Sequence, residues 1–152
     1  MLSIFKSLIS VIVLAGVLLA GAAAGVQKAK DRFNPDGSFW IQGTPPPEFK
    51  DIGGINLNSH RSRRFPAAGV ELVSGSRLPF KTLTVKPELL TFTTGTLRGI
   101  SYSFSGRFLK KGVFSAGSLD EDTPVLEGTL TKFRGGRKIA EANLKFTYFG
   151  GT

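Results

Sequence analysis

The chain has 152 residues, 41% of them hydrophobic, and it carries 20 basic against 11 acidic residues, a formal net charge of +9. It contains no cysteine, which excludes disulfides, thiolate catalysis and Cys-ligated metal sites. Thirteen phenylalanines and 19 glycines against one methionine favour short strands joined by turns over long helices. The length suits one globular domain.

An apolar leader opens the chain, with Lys6 followed by an uncharged stretch from Ser7 to Val26. This layout fits a secretory signal, whose apolar core has roughly 7 to 15 residues, and also a spanning helix of about 20 residues. Ala22 and Ala24 offer the small residues of a cleavage site, so a signal peptide is favoured and a retained membrane anchor is the alternative. The sequence therefore predicts a secreted or extracytoplasmic protein, or one anchored by a single N-terminal transmembrane helix.

Three basic residues, Lys28, Lys30 and Arg32, follow the leader. Basic flanks tend to stay in the cytoplasm, so the orientation of a retained anchor is open. The predicted organisation has three parts. Residues 1–24 form the leader, residues 25–37 form a linker, and residues 38–152 form a single β-domain.

The first part of the domain is rich in turn residues. Asn34-Pro35-Asp36-Gly37 fits a type I turn, because Asn, Pro and Gly each occupy a preferred position. It leads into a predicted strand over residues 38–42, which ends at the prolines of residues 45–47 because proline cannot donate to a ladder. Residues 48–64 read as a long loop with one short strand at residues 55–57.

Alternation of apolar and polar residues becomes regular after this loop. It predicts half-buried strands in which Ile100, Tyr102 and Phe104 share one face. Lys110-Lys111-Gly112 resembles a hairpin tip, with Val113 and Phe114 returning. The remaining strands of this region are predicted over residues 70–73, 83–85 and 90–92, with a turn at Pro87-Glu88 between the last two.

The last hairpin permits a prediction of register. A two-residue loop would pair Leu130 with Glu141, although a slip of one residue turns an apolar face outward. A three-residue loop over residues 134–136 would instead pair Leu130 with Ala140. The sequence therefore predicts the three-residue loop, with Gly136 at positive φ.

These elements predict an all-β domain of roughly five to eight short antiparallel strands with a C-terminal meander. A sheet of this kind must cover its apolar face, which a sandwich or a barrel can do. We expect a β-sandwich, with a small closed β-barrel as the alternative, preceded by one N-terminal hydrophobic helix.

Catalytic constellations are sparse. The only histidine, His60, lies in the basic stretch of residues 60–64, where positive neighbours lower its pKa and repel metal ions. Asp120 and Asp122 could offer oxygens to Ca²⁺, but the further ligands and the glycine of a calcium loop are missing, so a solvated acidic turn is favoured. We expect no enzyme activity, no cofactor and no metal.

Positive charge remains the main clue to partners. Without residues 1–24 the chain keeps 19 basic and 11 acidic residues, a net charge of +8. Such a field favours anionic lipid headgroups or acidic polysaccharide, whereas no nucleic-acid module is visible and nucleic acid is not expected. Charged tips that prevent sheet association are the alternative explanation. The candidate anion-binding residues are Arg61, Arg63, Arg64, Lys132, Arg134, Arg137 and Lys138.

The sequence thus predicts an exported or membrane-anchored, non-catalytic protein of the cell envelope, a binding or structural module with a basic surface. The alternative is a carrier that holds a lipid or another apolar ligand inside a barrel or open sandwich. In that case Trp40, Phe104 and Phe146 are candidates to line the cavity. An enzyme that uses carboxylates is a third hypothesis, with no residues assigned.

Overall fold

The computed structural model describes residues 33–58, 68–115 and 122–149. A short 3-10 helix, Pro47–Phe49, lies between the first two strands. The strands of this part of the chain are β1 (Ser38–Ile41), β2 (Ile52–Asn56), β3 (Gly69–Leu72), β4 (Arg77–Lys86), β5 (Leu89–Thr94), β6 (Ile100–Phe108), β7 (Leu126–Arg134) and β8 (Arg137–Phe149).

Consecutive strands pair antiparallel, and β1 also pairs with β8, so the sheet closes into a barrel. Phe39 pairs with Tyr148 and Trp40 with Thr147 at this closure. The all-β antiparallel prediction and its C-terminal meander are confirmed, and the closed barrel replaces the expected sandwich. Both architectures give strands the same two-residue alternation, so the sequence pattern could not separate them.

Alternation places one face of each strand in the barrel interior, as predicted for Tyr102 and Phe104, which are both buried. The interior is filled by contacting rings. Phe104 stacks on Phe92 with ring centroids 5.5 Å apart and meets the edge of Phe146 at 5.6 Å. Other fully buried interior residues are Phe39, Ile55, Val70, Leu78, Leu90, Leu126 and Leu130.

Two paired glycines sit beneath the ring of Phe104. A Cβ atom added to Gly128 would lie 2.5 Å from the Cα atom of Gly106 and 2.6 Å from the Cζ atom of Phe104. No side chain fits in that space. The glycine pair therefore makes room for the large ring at the centre of the interior.

The last hairpin differs from the predicted register. Its loop is a two-residue turn, with Gly135 at φ 58° and Gly136 at φ 80°, and Leu130 pairs with Ala142 instead of Ala140. The register shifts between Lys132 and Phe133, because β8 has one extra residue opposite them. This bulge brings the apolar residues of the two strands back onto the same face of the sheet. The positive φ of Gly136 is confirmed, and the three-residue loop is wrong.

The barrel has two ends of different construction. We name the end that holds the first and last described residues, Phe33 and Phe149, the terminal end; the β4–β5 turn and the β6–β7 connection also lie there. Rings fill it, and the hydroxyl of Tyr148 donates to the carbonyl oxygen of Asp36 at 2.7 Å. The opposite end carries the β1–β2, β3–β4, β5–β6 and β7–β8 connections, the first of which contains the 3-10 helix, and we name it the lid end.

The expected hairpin tip at residues 110–112 is wrong, because β6 ends at Phe108 and Val113 instead forms a parallel bridge with Asn34. The predicted N-terminal helix of the leader lies outside the described residues. Among the described residues, no helix is long and apolar enough to span a bilayer.

Candidate functional site

The 3-10 helix covers the lid end of the barrel. Proline occupies its first turn, where the missing N–H has no intrahelical partner to lose. Its last residue, Phe49, is buried in the core, and Asp51 follows directly before β2. Burial of Phe49 thus fixes the helix across the opening and brings Asp51 to the rim of the interior.

Lys132 points into the barrel and does not belong to the exposed tip that the sequence predicted. It occupies the same face of β7 as Leu126 and Leu130, opposite Tyr102 on β6, and its side chain is 14% exposed. Its ammonium donates to both carboxylate oxygens of Asp51, at 2.9 and 3.0 Å, and to the carbonyl oxygen of Glu48 at 2.8 Å. Lys132 is therefore held within the protein.

Tyr102 completes this polar cluster, which we name the latch (Asp51, Tyr102 and Lys132). The tyrosine hydroxyl donates to Asp51 Oδ2 at 2.6 Å, and the ammonium of Lys132 lies 5.7 Å from the centre of the ring, within the range of a cation–π contact. The latch joins the segment of the 3-10 helix, which we name the lid, to β6 and β7. Every charge in it has a partner, as a partly buried ion pair requires.

The pKa values of the latch favour a structural role. Burial raises the pKa of Tyr102 well above its ordinary value, and the hydrogen bond to the Asp51 carboxylate raises it further. Burial also acts to raise the pKa of Asp51, but the hydrogen bond from Tyr102 and the ammonium of Lys132 outweigh it and lower that pKa below its ordinary value. The phenol therefore stays protonated near neutral pH and donates its hydrogen bond to Asp51.

Three arginines without an ion pair among the described residues lie on two neighbouring turns at the lid end, and we name them the cationic rim: Arg98, Arg134 and Arg137. Arg98 and Gly99 form the two-residue turn between β5 and β6, with Arg98 at φ 50°. Arg134 pairs with Arg137 beside the turn of the last hairpin. The N–H of Gly135 donates to the carbonyl oxygen of Gly99 at 2.9 Å, which holds the two turns together.

A cavity of about 440 Å³ opens beside the cationic rim, a volume within the usual range of small-molecule sites, about 300–1,000 Å³. Arg98, Ser74 and Ser76 supply polar groups to its wall, and Asp51 of the latch also lines it. Its apolar wall is formed by Leu72, Leu78, Leu97 and Ile100. The cavity combines one positive and one negative side chain with hydroxyls and an apolar surface.

The predicted anion-binding residues fall into separate groups. Arg134 and Arg137 lie in the cationic rim, whereas Lys138 forms an exposed ion pair with Glu141 at 2.8 Å. Arg61, Arg63 and Arg64 lie outside the described residues. Sequence reasoning missed Arg98 because no local pattern brings the β5–β6 turn beside the last hairpin.

The latch was also missed, although its sequence signal existed. Lys132 occupies an inward position in the run Leu126, Gly128, Leu130, where a charge requires a buried partner.

Among the residues described, no group of three or more His, Cys, Asp or Glu side chains could hold a metal ion. The chain matches no protein-family model, and comparisons with curated proteins and solved structures also return no match.

The latch predicts that two lysines near the lid end contribute unequally to the free energy of unfolding. Lys132→Met keeps the apolar stem but leaves Asp51 without its cation, and we expect the free energy of unfolding to fall by about 1–2 kcal/mol. This is less than for a fully buried pair, because the side chain of Asp51 is 43% exposed. Urea unfolding measures the change. Lys138→Met, which breaks an exposed pair, is the control; equal effects of the two substitutions would contradict the latch.

The lowered pKa of Asp51 predicts a loss of stability in acid. Its carboxylate stabilises the fold fully above the ordinary pKa of 3.8, and this contribution disappears as the pH falls through the lower pKa of the folded state. The difference in unfolding free energy between the wild type and Asp51→Asn should be constant near neutral pH and shrink below about pH 3.8. Urea unfolding over a pH series tests this. A difference that grows in acid would contradict it.

Proposed function

We propose that this chain is an exported or membrane-anchored, non-catalytic cell-envelope protein whose lid end binds the anionic groups of an acidic polysaccharide. The observation that carries the proposal is the cationic rim. Arg98, Arg134 and Arg137 lie on two turns that are hydrogen-bonded to each other, and none of the three has a carboxylate partner among the described residues.

The contrast with the other described arginines supports this reading. Arg77 is paired with Glu71, and Arg107 is paired with Glu127 on the barrel wall. Their charge is balanced locally, whereas that of the rim is not. An arginine that already has a carboxylate partner must give it up to bind another anion, whereas an unpaired one need not, so the rim is a better candidate for an anion site than the wall.

The chemistry of the rim suits carboxylate groups of a sugar polymer. A guanidinium presents a planar fork of donors that binds a carboxylate with two parallel hydrogen bonds. Ser74 and Ser76 place hydroxyls in the cavity beside Arg98, where they can bond to sugar hydroxyls. Several such contacts on one polymer strengthen one another, because the second contact forms within a complex that already exists.

The leader supports an envelope location, since an apolar stretch of this length sends the domain across or onto a membrane. Anionic lipid headgroups are a second source of negative charge. They fit the rim less well, because the rim and the first described residue, Phe33, are at opposite ends of the barrel. A leader held in a bilayer would therefore direct the rim away from that bilayer.

The carrier hypothesis has less support. Phe104 and Phe146 contact each other in the interior, and Trp40 is outside the barrel, stacked on Phe149 at 4.5 Å. The three aromatics proposed to line a ligand cavity therefore do not share one. The cavity beside Arg98 is a better place for a small ligand than the interior, which rings fill.

Retention on immobilised alginate tests the proposal. Arg98→Asn, Arg134→Ala and Arg137→Ala are combined in one variant, with asparagine at residue 98 because it tolerates positive φ. We expect the wild type to bind and to be released by salt, since exposed charges are screened at high ionic strength. The variant should elute at a clearly lower salt concentration.

A control variant removes the same charge elsewhere, through Lys81→Ala, Lys86→Ala and Lys145→Ala. These lysines are exposed and have no ion pair among the described residues. The control should elute close to the wild type. If both variants weaken retention equally, net charge alone causes binding and the cationic rim is not a site.

A further inference from the structure

The terminal end of the barrel carries exposed apolar side chains that no part of the proposed function uses. Leu83, Val85 and Leu89 lie on the β4–β5 hairpin, and Leu109 and Val113 lie on the connection after β6. Between 36% and 53% of each residue is exposed. A single exposed apolar residue is ordinary, but five on one end of a small barrel form a candidate contact surface.

Described contacts join three of the five residues to Phe33 and Asn34. Leu83 and Val85 line a cavity together with Phe33, and Val113 bridges Asn34. An ion pair between Lys111 and Glu88, at 3.4 Å, links the β6–β7 connection to the β4–β5 turn. We name the five exposed residues and Phe33 the apolar rim.

The chain enters the barrel at this same end. Phe33 is the first described residue, and the uncharged stretch that ends at Val26 precedes it in the sequence. Only six residues separate Val26 from Phe33, and a fully extended chain of that length reaches about 25 Å. An anchor formed by the leader would therefore hold the terminal end close to the bilayer.

We propose that the terminal end is a membrane-contacting face, and that the apolar rim rests on the bilayer in which the retained leader is anchored. The proposal takes the anchored form of the leader and concerns a different surface from the cationic rim. Burial of apolar surface at the bilayer interface stabilises the contact. Trp40 stacks on Phe149 on the nearby outer wall, and Trp is a favoured residue at membrane interfaces.

This orientation places the cationic rim far from the anchoring membrane. Strand β8 has 13 residues and runs from Arg137 at the lid end to Phe149 at the terminal end. At about 3.3 Å per residue and a tilt of roughly 40°, it separates the two ends by about 30 Å. The rim would then point away from the bilayer that holds the anchor.

Site-specific fluorescence on the full chain tests the proposal, and the absence of cysteine allows single labels. Val113→Cys and Leu89→Cys report on the apolar rim, and Val73→Cys, 70% exposed at the lid end, is the matched control. Each variant carries a polarity-sensitive dye and is reconstituted with vesicles of phosphatidylcholine that contain a headgroup-linked nitroxide lipid. We expect the nitroxide to quench the fluorescence of the dye at residues 89 and 113 and to leave the fluorescence of the dye at residue 73 unchanged.

Flotation of the same vesicles separates the outcomes. A chain that floats with the vesicles but is unquenched at all three positions overturns the membrane-contacting face and leaves the anchor intact. A chain that does not float overturns the anchored form and the face together. Neither result bears on alginate retention, so failure of this inference is distinguishable from failure of the proposed function. Vesicles with added phosphatidylglycerol show whether the contact requires anionic lipid. Quenching only at residue 73 would mean that the lid end contacts the bilayer, which contradicts the proposed orientation.

Discussion

Pairing of β1 with β8 is the constraint on which the rest of the structure depends. Four consecutive residues of β1, from Ser38 to Ile41, pair with Phe149 to Phe146, and these bonds remove the two open edges that a meander would otherwise expose. Closure places both described termini at one end and four connections at the other. The chemical difference between the two ends follows from this topology.

At the lid end, closure leaves an opening that the 3-10 helix covers. Burial of Phe49 supplies an apolar contact, and the latch adds a polar one between Asp51, Tyr102 and Lys132. A charged lysine on an inward position would be unfavourable alone, but here it holds the lid in place. The same arrangement removes Lys132 from the surface and leaves the three arginines of the cationic rim exposed to partners.

Local patterns predicted the strands but not their assembly. Alternation over residues 100–104 identified which side chains face inward, because a strand has a fixed two-residue period. The closure of β1 on β8, the irregularity at Lys132 and the meeting of Arg98 with the last hairpin depend on residues far apart in sequence. Of the candidate anion site, Arg134 and Arg137 were therefore found, while Arg98 and the inward direction of Lys132 were not.

Disulfide crosslinking across the closure tests the barrel most directly. Trp40 and Thr147 are paired on the outer face of β1 and β8, and paired strand residues have Cα atoms within the range that a disulfide spans. Oxidation of the chain carrying Trp40→Cys and Thr147→Cys should give a crosslinked monomer in high yield. Trp40→Cys with Asn143→Cys, four residues earlier in β8, should not crosslink. Equal yields for both pairs, or no crosslink for the first, would contradict a closed barrel.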